Sequence, residues 1–310
     1  MPEGAEILLT SQFLNTKLKN KYITKMKILS GRYTHQTLVG KSLMKNKLKI
    51  IKVDSKGKFM WIELKDENNK NIYIMNTFGM SGKWILNDES NNRIKFTINN
   101  KVNLYLVDLY FNDIRNFGTI KITRDKKELD KKLDNLGIDL IKSNMTLDKM
   151  IKHIIEFIEK KNESKRKTNN NIVKVLMTQD TKGIGSGIGN YLCAEILYRA
   201  KISPHRDITS LTDNEIKNLA KSIREILKRA YVNNQTPYLA HLATFIKSHH
   251  SNIKKEKYKD YFPDIKLNKK NGLNFNFKVY NQKVDPFGNK VTKSNIYNDR
   301  ITWYVPKIQK

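Results

Sequence analysis

The first residues of the chain have types and a spacing that could perform covalent chemistry. They read Met-Pro-Glu-Gly-Ala-Glu, from Met1 to Glu6. If the initiator methionine is removed, which the small Pro2 side chain permits, the chain begins with a secondary amine and Glu3 comes next. About a tenth of a terminal amine is unprotonated at pH 7, so it could attack an aldehyde-like carbon while the carboxylate moves protons at the same centre. An ordinary translation start with a proline that opens a helix would have the same sequence.

A second stretch of interest is the glycine-rich run Gly-Ile-Gly-Ser-Gly-Ile-Gly-Asn, from Gly183 to Asn190. It does not fit the dinucleotide-binding pattern G-x-G-x-x-G, because Ile188 and Asn190 break the spacing and no strand precedes it. Between two helices, such a turn predicts backbone N–H groups exposed at the N-terminus of the second helix, where a phosphate can bind. Asn190 adds an uncharged donor. A plain pair of helices joined by flexible glycines is the alternative.

Both stretches resemble a single protein family. The opening Met-Pro-Glu-Gly-x-Glu is that of the formamidopyrimidine-DNA glycosylase/endonuclease VIII family, although Ala5 stands where the usual second proline would be. The segment from Leu176 to Pro204 resembles the helix-two-turn-helix of the same family, with about thirty residues at matching spacing. The resemblance implies that Pro2, Glu3 and Glu6 are catalytic.

Three further matches lie between these stretches. Lys58, in Gly-Lys-Phe at the start of a predicted strand, resembles the residue that binds the phosphate beside the lesion and belongs to the catalytic set. Met80, on a predicted tight turn, would fill the space left by an extruded base. Arg115 and Phe117, in a predicted extended loop, would contact the orphaned base and wedge into the stack. Taken singly, each could be an ordinary strand-end lysine or a packed core residue.

The last match is Asp-Arg-Ile-Thr-Trp-Tyr-Val-Pro-Lys-Ile-Gln, from Asp299 to Gln309. It resembles the family's C-terminal zinc finger, whose arginine, here Arg300, binds phosphates near the lesion. Val305 and Ile308 stand where the last two cysteines of that finger would be, as in the zincless-finger branch of endonuclease VIII-like proteins. Cys193 is the only cysteine, which excludes an internal disulfide and a zinc site with several cysteines. We expect no metal and no cofactor.

Charge points to the class of partner. The 59 Lys and Arg residues outnumber the 30 Asp and Glu residues, which leaves a net charge of +29 and favours a polyanion such as nucleic acid. A membrane surface is the competing polyanion, but the chain has no long apolar run, signal peptide or lipidation motif. We therefore expect an intracellular, soluble monomer in the nucleus or another DNA-containing compartment.

Hydrophobic periodicity predicts an α+β fold in two halves. A helix over 6–18 is followed to about residue 123 by short strands typical of a β-sandwich, which the helix would cap. Helices are predicted over 146–161 and 172–177 and after the capping box that starts at Thr212. We assign 1–130 to a catalytic β-sandwich domain, 131–145 to a linker, 146–270 to a helix-two-turn-helix domain and 271–310 to a zincless finger hairpin. Residues 233–270 are predicted to be a loop that takes part in base recognition, and strands near 273–279 and 301–305 to form the hairpin.

The resemblance implies a bifunctional DNA glycosylase and abasic-site lyase of base excision repair. It would excise oxidised bases through a Schiff base on Pro2 and cut the strand by β,δ-elimination. Lys58, Asn190 and Arg300 would bind the DNA, and the partner would be damaged double-stranded DNA, with acceptance of single strands left open. A non-catalytic nucleic-acid-binding protein is the alternative, since helix-two-turn-helix modules also occur in such proteins, but it would not need Pro2 and Glu3.

Overall fold

The computed structural model describes residues 2–164, 169–232, 234, 236–255, 265, 275–297 and 299–310, and all structural statements concern these residues. The chain divides into two compact units. The first comprises Met1–Pro2, Glu6–Asn135 and Thr236–Phe245, and the second comprises Glu3–Ala5, Leu136–Gln235 and Ile246–Lys310.

An antiparallel sheet of eight strands forms the first unit, and its strands are β1 Tyr22–Ile28, β2 Leu48–Lys56, β3 Phe59–Lys65, β4 Asn71–Thr77, β5 Lys83–Ile85, β6 Asn92–Asn99, β7 Tyr105–Asn112 and β8 Thr119–Thr123. Their order across the sheet is β5-β7-β6-β1-β2-β3-β4-β8. Alternation of side chains accounts for the strands: in β6, for example, Ile94, Phe96 and Ile98 are fully buried while the residues between them are not. The predicted β-sandwich is confirmed.

The predicted first helix is also confirmed, as α1 (Gly4–Leu18). Within the first unit, the Asn15 side chain accepts a hydrogen bond from the Val53 N–H at 3.0 Å, and the Ser11 and Ser55 hydroxyls lie 3.0 Å apart. These bonds hold the helix against β2. A further helix, α2 (Lys126–Asp134), was not predicted because its sequence is almost entirely charged.

The prediction of a loop over 233–270 is wrong for residues 237–255, whereas 256–264 and 266–270 lie outside the described residues. A 3-10 helix spans Pro237–Leu242 and α7 spans Ala243–Lys255. The segment has little sequence periodicity, but Leu239 and Leu242 are buried in the first unit and the Phe245 ring packs edge-on against Phe13. Tertiary packing therefore orders a stretch whose local sequence favours no helix.

The second unit is mainly helical, with α3 (Leu147–Glu163), α4 (Ile172–Met177), α5 (Asn190–Ala200) and α6 (Asp213–Val232). The predicted helices and the capping box are confirmed. The Glu215 carboxylate accepts the Thr212 N–H at 2.8 Å, and the Glu215 N–H donates back to the Thr212 hydroxyl at 3.3 Å. These reciprocal bonds fix where α6 begins.

A C-terminal hairpin is present, but its first strand was wrongly predicted. β9 (Thr292–Tyr297) pairs with β10 (Arg300–Tyr304), whereas no described residue of 273–279 lies in a strand. Phe275 and Phe277 alternate as they would in a strand, yet their rings pack around Tyr191 of α5. These residues therefore form a hydrophobic cluster and not the β-strand that the alternation predicts.

Candidate active site

Glu3 is the most completely enclosed of the candidate residues. Its carboxylate is buried in the second unit and accepts three backbone N–H groups at the start of α5, from Gly189 at 2.7 Å, Tyr191 at 2.9 Å and Leu192 at 3.2 Å. The N-terminal end of a helix stabilises a negative charge, and these bonds add to that effect. The three donors were expected to bind a phosphate, but in this structure they bind the protein's own carboxylate.

Glycines make the approach of Glu3 to α5 possible. The Gly4 N–H donates to the Gly187 carbonyl at 2.8 Å, and a Cβ on Gly4 would lie only 2.7 Å from the Gly187 Cα. Gly187 itself has a φ of 114°, which other residues rarely adopt. The Gln179 side chain braces the turn by accepting the Gly187 N–H at 2.9 Å and donating to the Ile188 carbonyl at 2.7 Å. The glycine-rich run therefore lets the N-terminal segment pack closely against the start of α5.

The other two catalytic candidates at the chain start lie in the first unit. Pro2 is buried and directly precedes Glu3 in the chain. Glu6 is buried in the first turn of α1, and the Thr236 hydroxyl lies 3.4 Å from its carboxylate. Burial raises the pKa of the nearby Tyr238 hydroxyl, and the negative charges of Glu6 and Asp113 raise it further. Tyr238 therefore stays neutral near pH 7, and its hydroxyl donates to the Gly82 carbonyl.

Lys58 lies in the tight turn between β2 and β3. Gly57 before it has a φ of 54°, which closes the turn, and Phe59 after it begins β3. The lysine is half-buried. Lys58 therefore lies directly before β3, where the sequence predicted the start of a strand.

Met80, Arg115 and Phe117 are brought together in the first unit by two neighbouring loops. Met80 and Phe117 are 38% and 56% exposed, and the Arg115 guanidinium lies 3.1 Å from the Met80 sulfur. The loop that carries Arg115 was expected to be extended, but it is a tight turn in which the Asn116 N–H donates to the Asp113 carbonyl at 3.2 Å and Asn116 has a φ of 56°. Exposed apolar side chains on rigid turns are unusual and suit insertion into a base stack.

Asn190 and Arg300 are neighbours in the second unit. The Asn190 side-chain amide donates to the Ile301 carbonyl at 3.1 Å, one residue after Arg300. Arg300 begins β10 and is half-buried, and among the described residues its guanidinium has no ion-pair partner. Asn190 at the start of α5 is therefore hydrogen-bonded to the residue that follows Arg300 at the start of β10. The uncharged candidate and the cationic candidate thus come from neighbouring elements.

Sequence reasoning missed one carboxylate that organises this region. Glu195, fully buried in α5, accepts the backbone N–H groups of Lys278, Val279 and Tyr280 at 2.9–3.0 Å. Burial raises the pKa of Glu195, and the three donors act in the opposite direction. A lone acidic residue among the apolar residues of α5 is the signal that could have revealed it.

Apolar packing surrounds Val305 and Ile308, where a zinc-bearing finger would carry cysteines. Val305 is fully buried against Ala194, Val279 and Val291, and Ile308 packs on the same cluster. Within the described ranges no three His, Cys, Asp or Glu side chains lie close enough to hold a metal ion. None of the helices described there is long and apolar enough to cross a membrane.

Sequence models of three domains of one protein family match most of the chain. The sequence model of the formamidopyrimidine-DNA glycosylase N-terminal domain matches residues 1–120, that of its H2TH domain 148–238 and that of its C-terminal domain 263–310. The formamidopyrimidine-DNA glycosylase of Wolbachia pipientis wMel is 30% identical over 236 residues, which cover 74% of this chain and 78% of that protein. The protein of the same name from Prochlorococcus marinus is 28% identical, with 77% and 82% covered. These relatives are bacterial and give no support to the expected nuclear location.

Solved structures share the fold. The formamidopyrimidine-DNA glycosylase of Lactococcus lactis, non-covalently bound to DNA that contains an abasic site, aligns over 99% of both chains with a TM-score of 0.68 at 19% identity. The protein from Thermus thermophilus aligns over 99% of this chain and 98% of its own, with a TM-score of 0.67 at 21% identity. The domain matches, the Wolbachia relative and the shared fold agree that this chain belongs to the formamidopyrimidine-DNA glycosylase family.

Proposed function

We propose that the chain is a bifunctional DNA glycosylase and abasic-site lyase that excises oxidised bases through a Schiff base on Pro2. The single observation that carries this is the position of Glu3, whose buried carboxylate is held by three amide donors. It directly follows Pro2, whose nitrogen becomes a secondary amine once Met1 is removed. A non-catalytic binder would not need Pro2 directly before this carboxylate.

The proposed reaction starts when the processed Pro2 nitrogen attacks C1′ of the damaged nucleotide. The electron pair of the C1′–base bond leaves with the base, and Glu3 exchanges a proton with the sugar oxygen so that the ring opens. Loss of a proton from C2′ then expels the 3′ phosphate, and a second elimination expels the 5′ phosphate. Hydrolysis of the remaining iminium returns Pro2 as a free amine.

Access to C1′ requires that the damaged nucleotide leave the stack, at a cost of roughly a few kcal/mol that is least for a damaged base. Lys58, Asn190 and Arg300 are proposed to bind the phosphates of damaged double-stranded DNA and so to offset this cost. Met80, Arg115 and Phe117 would occupy the vacated space and hold the orphaned base. The net charge of +29 would attract DNA from a distance.

The C-terminal hairpin is proposed to be a zincless finger. Packing of Val305 and Ile308 in the cluster described above supports this assignment, because the same positions would carry cysteines in a zinc-bearing finger. In such a finger Arg300 retains its role while the metal is replaced by hydrophobic contacts.

Covalent trapping tests the proposed chemistry. Sodium borohydride added during the reaction with abasic DNA should reduce the Schiff base to a stable adduct, and peptide mass mapping should place the adduct on Pro2. Blocking the amine by retention of Met1 should prevent trapping. An adduct on a lysine, or no adduct from protein that still cleaves abasic DNA, would refute the assignment.

A further inference from the structure

Two loops of the first unit present the side chains that the proposed function uses to fill the DNA stack. We name residues 78–82 and 113–118 the loop pair. Phe117 and Met80 are 56% and 38% exposed, so neighbouring side chains cover only part of each. Their positions therefore depend on the backbone that carries them.

A single buried carboxylate joins the two loops. Asp113 is 1% exposed, and its Oδ1 accepts the Ser81 hydroxyl at 2.5 Å while its Oδ2 accepts the Gly118 N–H at 2.7 Å. The Ser81 oxygen in turn accepts the Arg115 N–H at 2.8 Å. The hydroxyl and the carboxylate thus bind two amides on either side of Phe117 and fix both to the loop of Met80.

We name the hydrogen bonds of Asp113 with Ser81 and Gly118 the clip. The residues around the clip leave it little freedom. Gly79 has a φ of 61°, and a Cβ there would lie 2.7 Å from the Gly118 nitrogen. From the other side, Arg93 donates to the Asp113 carbonyl at 2.8 Å and Arg32 donates to the Asn116 carbonyl at 2.6 Å. Since these arginines hold backbone oxygens, the Asp113 carboxylate is left to bind Ser81 and Gly118. Hydrogen bonds to a carboxylate are among the strongest in proteins.

We propose that Ser81 and Asp113 are positioning residues, and that their clip holds the loop pair in advance in the geometry that enters the DNA stack. The inference rests on the proposed function. A loop that is already ordered loses less conformational freedom when it enters DNA. The clip should therefore matter when an orphaned base must be held, and not for the bond made by the terminal amine.

The test compares two abasic substrates in the full-length protein. One is a duplex with a complete opposite strand, and the other lacks the nucleotide that faces the abasic site, so that no orphaned base exists. Ser81→Ala should slow borohydride trapping on the complete duplex by about ten-fold, the effect of one lost hydrogen bond to a charged group. Trapping on the gapped duplex should be unchanged. Ser81→Thr, which keeps the hydroxyl, should restore the rate.

Fluorescence supplies a second readout. With 2-aminopurine opposite a tetrahydrofuran site, saturating wild-type protein should unstack the probe and raise its emission, and Ser81→Ala should raise it less. Thr77→Ala is the matched control, because it removes a nearby hydroxyl that pairs with Thr119 outside the clip. The inference is overturned if Ser81→Ala equals wild type on the complete duplex, or if it is equally slow on both substrates. Wild-type protein that traps neither substrate would instead refute the proposed function.

Discussion

Replacement of Glu3 by glutamine should separate the two activities and also destabilise the second unit. One carboxylate oxygen accepts the N–H groups of Gly189 and Leu192, and the other accepts that of Tyr191. A glutamine would turn its NH₂ group toward at least one of these donors. An unsatisfied buried donor costs about 1–3 kcal/mol, and loss of the charge at the helix N-terminus about 0.3–2 kcal/mol more.

The expected loss is therefore about 1–5 kcal/mol, which corresponds to a fall in Tm of roughly 2–20 °C at about 2–4 °C per kcal/mol. Differential scanning calorimetry of wild type, Glu3→Gln and Glu67→Gln would measure it. Glu67 is an exposed carboxylate in the turn after β3, so its replacement should leave the Tm unchanged. A Glu3→Gln variant as stable as wild type would show that the three backbone N–H groups at the start of α5 do not stabilise the Glu3 carboxylate.

Activity assays well below the Tm complete this test. Excision of a damaged base should fall by about 10²–10⁴, the usual contribution of an acid or base, because Glu3 no longer exchanges a proton with the sugar. Cleavage of a preformed abasic site should persist in part, since the amine of Pro2 is intact. Equal loss of both activities would mean that Glu3 acts only by supporting the structure.

Three further predictions concern DNA binding, metal and pH. Lys58→Ala or Arg300→Ala should weaken binding to abasic-analogue DNA and flatten the plot of log K against log salt by about one unit, whereas Asn190→Ala should weaken binding with little change in slope, as filter binding at several salt concentrations would show. An unchanged affinity and slope for Arg300→Ala would remove the hairpin from the DNA interface. Elemental analysis should find less than stoichiometric zinc, and chelators should leave activity intact; inhibition that zinc reverses would contradict the zincless assignment. Burial lowers the pKa of His249 below 6.5, so the unfolded chain takes up its proton more readily, and the stability that the neutral ring contributes above pH 6.5 is lost as pH falls through the lower folded pKa. The Tm of His249→Gln should therefore fall less than that of wild type between pH 7.5 and 5.5, and equal slopes would refute this.

Local patterns in the sequence were enough to predict most of the elements. α3 and α6 carry apolar residues at helical spacing, and the Thr212 capping box marks the start of the latter. The strands of the first unit alternate as half-buried strands do. Such patterns are short-range, because a helix face or a strand face is set by residues a few positions apart.

Elements that depend on distant partners were not predictable in this way. Leu239 and Leu242 form part of a buried 3-10 helix in a stretch without periodicity, because the first unit supplies the contacts. Phe275 and Phe277 alternate as residues of a strand do, but their rings pack against Tyr191. In both cases burial against residues far away in the chain overrides the local pattern.

The candidate site likewise has features that the sequence predicts and features that depend on contacts between distant residues. The sequence by itself determined which residues are present, namely a proline beside a carboxylate, a glycine-rich turn and an excess of cations, and their order along the chain resembles the family. Only the tertiary structure decided that the amides at the start of α5 bind Glu3 and that Ser81 reaches Asp113. These partners are 186–189 and 32 residues apart. A hydrogen bond needs two atoms about 3 Å apart, and over such separations only the packed fold brings them that close.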